Sequence, residues 1–466
     1  MGSLSMYTCF VLCFFILCYF FCLQEHVAAI EIIIGGGGGA PSPDPDDPNC
    51  PPPPPPPEPS CPPPPLIPHP VPSLPPKRSP PPPSSYYPFE SSAIKQVYPV
   101  IQAFKKRIEN DPFHITDTWN GYDVCGTYKG FVCDYLPPSF KELAVAAVNF
   151  NGFKLGGSNL TIDEFLGGMV DLAVFHANTN FFTGRVPKAI ANLKYLFELD
   201  LSNNKFQGQF PLEVLGGKEL LFLDLRFNKF SGTIPPQLFS LRLFVLFINN
   251  NDFSQKLPDN LGDSTAKYQT FANNKFIGRI PSSIGKAAKT LKEVLFLNNQ
   301  LSGCLPYQIG LLNKATIFDV SFNQLRGPVP WSFGCLAKME ILVLARNQFS
   351  GRIPDSLCTL PNLRNLSLSY NYYTEVGPEC RKLITKKVLD VKMNCIYNLP
   401  KQRPVAECDN FFSSKMPPCS DPKSFFYIPC SQPYTSNALE SSDVEFRAPS
   451  SSSFTSYDHL SPQKKH

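Results

Sequence analysis

The chain is 466 residues long with a formal net charge of +4, so its overall charge does not point to nucleic acid. Proline is the outlier at 51 residues, many of them between Pro41 and Pro88. About three ordinary domains would fit in this length, but a repeat described below argues for one long solenoid with flanking segments.

Residues 1–29 read as a secretory signal. An apolar stretch from Cys9 to Leu23 precedes the small-residue sequence Val27-Ala28-Ala29, although no Lys or Arg stands in front of it. An uncleaved anchor is the competing reading. A bilayer span takes about 20 apolar residues, so cleavage near Ala29 is the expectation. No later segment is long and apolar enough to cross a membrane, and the mature chain is expected to be secreted and free. Of the 16 cysteines, Cys9, Cys13, Cys18 and Cys22 leave with the signal. The others meet an oxidising compartment where disulfides persist. Asn159-Leu160-Thr161 and Asn365-Leu366-Ser367 are candidate N-glycosylation sites there.

Residues 30–89 form a Pro-rich arm. After Gly35–Gly39 come the blocks Pro51–Pro57, Pro62–Pro65 and Pro80–Pro83. Proline fixes φ and removes backbone donors, which favours an extended polyproline II arm over helix or sheet. Ser79 followed by four prolines resembles the repeat of plant cell-wall extensins. In that family the prolines are hydroxylated and glycosylated, and tyrosines such as Tyr86 and Tyr87 cross-link. A stiff spacer and a wall contact both remain open readings of this arm.

Residues 90–142 look like an N-terminal cap. From Tyr98 to Glu109, Val100, Ile101, Phe104 and Ile108 fall on one helical face, and Asn110-Asp111-Pro112 ends the run. A Cys125–Cys133 disulfide would staple the cap over the open end of the first repeat. Metal binding is the other use of paired cysteines, but no His or Cys stands at zinc-type spacing.

Residues 143–374 carry ten copies of Leu-x-x-Leu-x-Leu-x-x-Asn-x-Leu. Their asparagines are Asn151, Asn180, Asn204, Asn228, Asn251, Asn274, Asn299, Asn323, Asn347 and Asn371. After a first step of 29 residues, every interval is 23, 24 or 25. A fixed period of that length marks a leucine-rich repeat solenoid. Apolar positions such as Leu220, Leu223 and Leu225 point inward from a short strand. Asn228 then turns the chain, and its amide is suited to backbone groups that the turn leaves unpaired. Stacked copies should give a parallel sheet on the concave face, with an asparagine ladder along its edge. No single repeat is stable alone.

The second half of seven repeats continues Gly-x-apolar-Pro: Gly184–Pro187, Gly208–Pro211, Gly232–Pro235, Gly278–Pro281, Gly303–Pro306, Gly327–Pro330 and Gly351–Pro354. An eighth keeps Pro258 but has Gln255 in place of the glycine. This form resembles the plant-specific class of leucine-rich repeats. The runs Val174–Asn178, Phe271–Phe276, Asn299–Pro306 and Phe318–Asn323 look like the leucine-rich repeat extensin family. So does Ser369–Tyr373 with the cysteines that follow, Cys380, Cys395, Cys408 and Cys419. The resemblance covers residues 90–420. It implies a wall-located repeat domain that binds rapid alkalinisation factor peptides, which are small, secreted, basic and cysteine-rich. It also admits a disulfide-supported homodimer. In that family an extensin domain follows the repeats. Here a Cys-rich cap (375–430) and a Ser-rich tail (431–466) follow, and the Pro-rich segment lies in front, so wall anchoring by a C-terminal extensin domain is not implied.

Strand alternation places repeat positions 3, 5 and 7 on the concave face. The expected ligand-binding residues there are His176, Glu198, Asp200, Phe222, Asp224, Arg226, Phe247, Tyr268, Leu295 and Asp319. Acidic groups cluster in the early repeats, and an apolar and aromatic band fills the middle. Exposed, that combination would suit a basic folded peptide. Asn365 would place a glycan on the concave rim and leave the earlier repeats for the ligand. A receptor kinase and wall polysaccharide are further candidate partners. The competing readings are an inhibitor of wall-degrading polygalacturonases and a structural wall glycoprotein. No nucleophile elbow, phosphate loop or zinc signature suggests an enzyme, and no cofactor or metal is expected. Among the later cysteines, Cys358, Cys380, Cys395 and Cys408 are expected in disulfides. Cys358 has Cys335 and Cys380 as rival partners, while Cys304, Cys50 and Cys61 are left free or intermolecular.

Overall fold

A computed structural model describes residues 89–136, 141–414 and 417–431. The segment read as a signal, the Pro-rich stretch through Pro88 and the residues from Gln432 onward, with Cys50 and Cys61, lie outside the described residues. The repeats build a 12-stranded sheet from Phe131–Tyr135 to Leu389–Asp390. Its first two strands are antiparallel and every later neighbour is parallel. Each repeat contributes only about three residues to this sheet, for example Glu198–Asp200 and Phe222–Asp224. Short 3-10 helices such as Lys188–Asn192 and Trp331–Cys335 return the chain behind it.

The ladder asparagines supply the missing backbone partners. Asn228 Nδ2 donates to the carbonyls of Leu201, Leu225 and Arg226, while its Oδ1 accepts the Phe206 N–H at 3.0 Å. One amide thereby closes its own turn and ties it to the preceding repeat. Asn180 through Asn371 repeat this bonding, and Asn394 adds a further rung with the carbonyls of Leu368, Val391 and Lys392. The ladder therefore runs past residue 374 into the segment read from sequence as cap. At the other end Asn151 departs from the ladder role: its Oδ1 accepts the Asn178 N–H at 2.8 Å. The long first step of 29 residues is the trace of that irregular repeat.

A second, outer row of strands follows the asparagine turn. It is divided into a four-stranded and a five-stranded sheet, with the break between Asp252–Phe253 and Ile277–Gly278. The seven glycines of the Gly-x-apolar-Pro motif all have positive φ, between 74° and 100°. Gln255 stands where that glycine would be and does not take the positive φ that glycine allows. The strand row breaks there.

Between the rows lies one continuous core. Phe206, Phe230, Phe253 and Phe276 stack from repeat to repeat at 6.4–6.5 Å between ring centroids. The N-terminal cap closes this core with the helix Ser92–Arg107, whose Ile94, Val97, Ile101 and Phe104 are buried. Ser91 caps it by accepting the Ile94 N–H. Trp119 is wholly buried against Phe131 and Phe150, and its Nε1 donates to the Lys129 carbonyl at 2.9 Å.

Five disulfides occur among the described residues. Cys125–Cys133 joins the cap, Cys358–Cys380 excludes the rival Cys335–Cys358 pairing, and Cys395–Cys408 holds the helix Val405–Ser413. Cys304 is not free: it bonds Cys419, and Cys335 bonds Cys430. Both reach across 115 and 95 residues respectively, and together they strap residues 417–431 onto the later repeats. Gly327 makes room for the strap, since a Cβ there would stand 2.5 Å from Cys419 Sγ.

Candidate functional site

The concave face divides into a charged stretch and an apolar one. In the charged stretch His176 Nε2 meets Glu198 Oε2 at 2.9 Å, and Arg226 Nε lies 2.8 Å from Asp224 Oδ2. The second pair is out of line for a hydrogen bond, so its attraction is electrostatic. The Arg226 guanidinium also covers the Phe247 ring at 5.1 Å. Phe222 stands between His176 and Phe247, with centroids 6.3 Å from each.

The acidic patch expected from sequence is not open to a ligand. Asp200 is 4% exposed and Asp224 0%. Asp200 Oδ1 accepts the Ser202 N–H at 2.9 Å, Asp224 Oδ1 the Arg226 N–H at 3.0 Å and Asp319 Oδ1 the Ser321 N–H at 2.7 Å. These are Asx turns, in which an aspartate caps the backbone two residues on as the strand gives way to the turn. Their signal was in the sequence: an Asp four residues before the ladder asparagine. Alternation alone shows that this position leaves the core, not that its neighbours across the sheet will bury it.

Burial has electrostatic consequences. It pushes the Asp224 carboxyl up to about 8, with Arg226 pulling it down and Asp200 adding repulsion. For His176 burial opposes the charged form, but the Glu198 hydrogen bond and the carboxylates of Asp200, Glu198 and Asp224 outweigh it, so its affinity for a proton rises. Glu293 is half-buried, and desolvation raises its carboxyl to about 7 against the pull of Lys292.

The apolar stretch is also less open than expected. Phe247 and Leu295 are buried. Ala272, Leu295 and Ile317 form a small cluster with Leu297 and Ile341, separate from the main core. Side chains on adjacent parallel strands cover one another there. The accessible edge of this strip is aromatic: Tyr268 is half-buried and meets Phe244, 45% exposed, at 5.8 Å, while Lys267 lies over the Phe244 ring at 4.7 Å. Phe244 was missed in the sequence because it precedes the first concave position. Of the ten expected contact residues, Glu198, Phe222, Tyr268 and His176 retain partial exposure, and the other six are buried. Asn159 and Asn365 are exposed.

Among the described residues no group of three or more His, Cys, Asp or Glu is placed to hold a metal ion. No helix among them is long and apolar enough to cross a membrane.

The leucine-rich repeat profile matches residues 195–216, 219–241 and 338–360. Leucine-rich repeat extensin-like protein 6 of Arabidopsis thaliana is 50% identical over 327 residues, covering 70% of this chain and 68% of the relative. Leucine-rich repeat extensin-like protein 2 of the same plant is 46% identical over 235 residues, covering 50% of this chain and 29% of the relative. The chain therefore spans less than a third of that second relative's length. Among solved structures, the PEPR1–AtPEP1 crystal structure is similar at 27% identity with a TM-score of 0.54, over 64% of this chain and 45% of that one.

Proposed function

The chain belongs to the leucine-rich repeat extensin-like family, and from that membership we propose that it is a secreted wall protein that binds a basic, cysteine-rich peptide of the rapid alkalinisation factor type. In this reading the repeat array links the peptide to control of wall growth or integrity, with a receptor kinase as a further partner. Five disulfides support an oxidising, extracellular address. The likeness to PEPR1–AtPEP1 supports use of the array for binding.

The observation that carries the proposal is the partly exposed aromatic edge of the concave sheet, Tyr268 against Phe244, with the half-exposed carboxylate Glu293 in register beside Tyr268 and Phe222 and Glu198 partly exposed on earlier strands. An apolar anchor surface with acidic groups at its margin suits a basic peptide, whose charges would steer encounter while its apolar side chains supply affinity. The buried aspartates are excluded as contacts, and reversing their charge would test folding instead of binding.

The test is titration of the secreted full chain with such a peptide. Tyr268→Ala and Glu293→Gln are each expected to weaken binding, about tenfold for the aromatic anchor, and the Glu293 variant should lose part of its salt dependence. Unchanged affinity in both removes the concave face from the reading. Recovery of a polygalacturonase from wall extract, with no basic peptide, replaces it with the inhibitor reading.

A further inference from the structure

The strap of residues 417–431 is held by covalent bonds more than by packing. Among the described residues no part of it enters a sheet. Its two 3-10 turns, Pro422–Phe426 and Pro429–Ser431, are too short to persist alone. Between residues 417 and 430 only Phe425 is buried. Phe426 and Tyr427 meet Trp331 and Tyr307 yet stay 64% and 43% exposed. The Arg279 guanidinium donates to Ser420 Oγ at 3.1 Å. Two disulfides thus hold a segment that side-chain packing holds weakly, and their state decides where the strap lies.

The bonds are not equally guarded. Of the ten bonded cysteines among the described residues, Cys430 alone is exposed. Cys380 and Cys358 are buried in the core, and Cys419 is half-buried against Gly327. The Cys430 N–H donates to Cys335 Sγ at 3.2 Å. A thiolate that attacks Cys430 Sγ from solvent expels Cys335, and this N–H already faces the sulfur on which negative charge develops. Stabilising the departing thiolate speeds exchange.

We propose that Cys335–Cys430 is a redox latch, opened by a thiol reductant, that sets the length of the tether between the repeat array and the chain beyond it. One thiolate forms a mixed disulfide with Cys430 as Cys335 leaves. A second thiolate attacks the reductant's sulfur in that mixed disulfide and releases Cys430. The two reductant thiols end as one disulfide, and the protons they give up end on Cys335 and Cys430. With the latch closed, the chain leaves the array at Cys430, fixed to the helix Trp331–Cys335. With it open, the last anchor is Cys419, bonded to Cys304. The freed residues, Ser420 to Cys430, then reach about 35–40 Å when extended. The same step bares the ring faces of Trp331 and Tyr307. The repeats themselves need not move, because Cys335 lies outside the parallel sheet and the asparagine ladder.

The experiment equilibrates the secreted full chain in glutathione buffers of rising reduced fraction. Free thiols are trapped by alkylation and mapped by mass spectrometry, and amide exchange is followed in the same samples. Cys335 and Cys430 are expected to open together, at a reduced fraction that leaves Cys358–Cys380 closed. Amides between Ser420 and Cys430 should exchange at least tenfold faster after that step, while those of the repeat strands keep their protection. Restoring oxidised glutathione should reverse it. The double variant Cys335→Ser with Cys430→Ser should show fast strap exchange from the outset and no further response to glutathione there. The parent chain decides by itself where that variant is not secreted. A Cys335–Cys430 bond that stays closed until the repeat amides also lose protection is a structural staple, and that result overturns the proposal. So does a strap that keeps its protection after the bond has opened.

Discussion

Each ladder asparagine carries more bonds than a single side chain usually does, and the consequence is measurable at one residue. Asn299 Nδ2 donates to the carbonyls of Phe271, Phe296 and Leu297, and its Oδ1 accepts the Phe276 N–H at 3.0 Å. Asn299→Ala leaves that N–H and those carbonyls without their partner inside the array. A cost on the order of 3 kcal/mol is expected, because a buried polar group stripped of its partner loses about 1–3 kcal/mol. Hydrogen exchange at the Phe276 amide should accelerate with it; protection as in the parent chain would show that water replaces the asparagine at little cost. Tyr373 shows the opposite case. It occupies the stacking position of the phenylalanine spine, against Phe349 at 6.5 Å, and its buried hydroxyl has no hydrogen-bond partner among the described residues. Tyr373→Phe should leave stability unchanged or raise it by about 1 kcal/mol, read by chemical denaturation. A clear loss would reveal an ordered partner for that hydroxyl.

Elements differ in how much of them the sequence discloses, and the difference follows the range of the interaction. The repeat strands and asparagine turns were legible from Leu143 onward because each depends on residues within one period. The glycine pattern and its lapse at Gln255 were visible in the same way, but the outer strand row and its break were not read from them. Cys304–Cys419 and Cys335–Cys430 were not legible, since spacing within the chain says nothing about which distant repeat a later segment reaches. The concave site was half legible: alternation gave the face, but neighbouring strands decided which of its side chains water can reach. The strap of residues 417–431 tests how local its own anchorage is. Phe426 meets Trp331 at 5.4 Å and Tyr427 meets Tyr307 at 5.1 Å, in addition to the two disulfides. Replacing Cys304, Cys335, Cys419 and Cys430 together with serine should free the strap while the repeats persist, because their ladder and core are independent of it. Amides of residues 417–431 should then exchange rapidly and Trp331 fluorescence should shift toward that of an exposed indole. Retained protection would mean that the aromatic contacts suffice alone.

For the folded repeat array, three protonation equilibria act in the same direction. Folding raises the proton affinity of His176, of Asp224 to about 8 and of Glu293 to about 7. A group whose folded pKa lies above its unfolded value stabilises the fold fully below the unfolded pKa, and that contribution is lost as pH rises through the folded pKa. For Asp224 the window runs from the ordinary carboxylate value of 3.8 to about 8, and for Glu293 from 4.5 to about 7. His176 adds its share above 6.5. The array should therefore unfold at a lower temperature at pH 8 than at pH 5. A proton held by folded Asp224 and absent from the unfolded chain contributes about 1.4 kcal/mol per pH unit within its window. Asp224→Asn keeps the backbone cap to Arg226 through the amide oxygen and removes the titration, so its melting temperature should vary less between pH 5 and pH 8 than that of the parent chain. Because Asp224 pairs with Arg226 and stands in register with Phe247 on the face proposed for the peptide, the same variant separates two origins of pH-dependent binding. If peptide affinity loses its pH dependence together with stability, the coupling runs through the buried cluster. If only stability does, it runs through Glu293 at the rim.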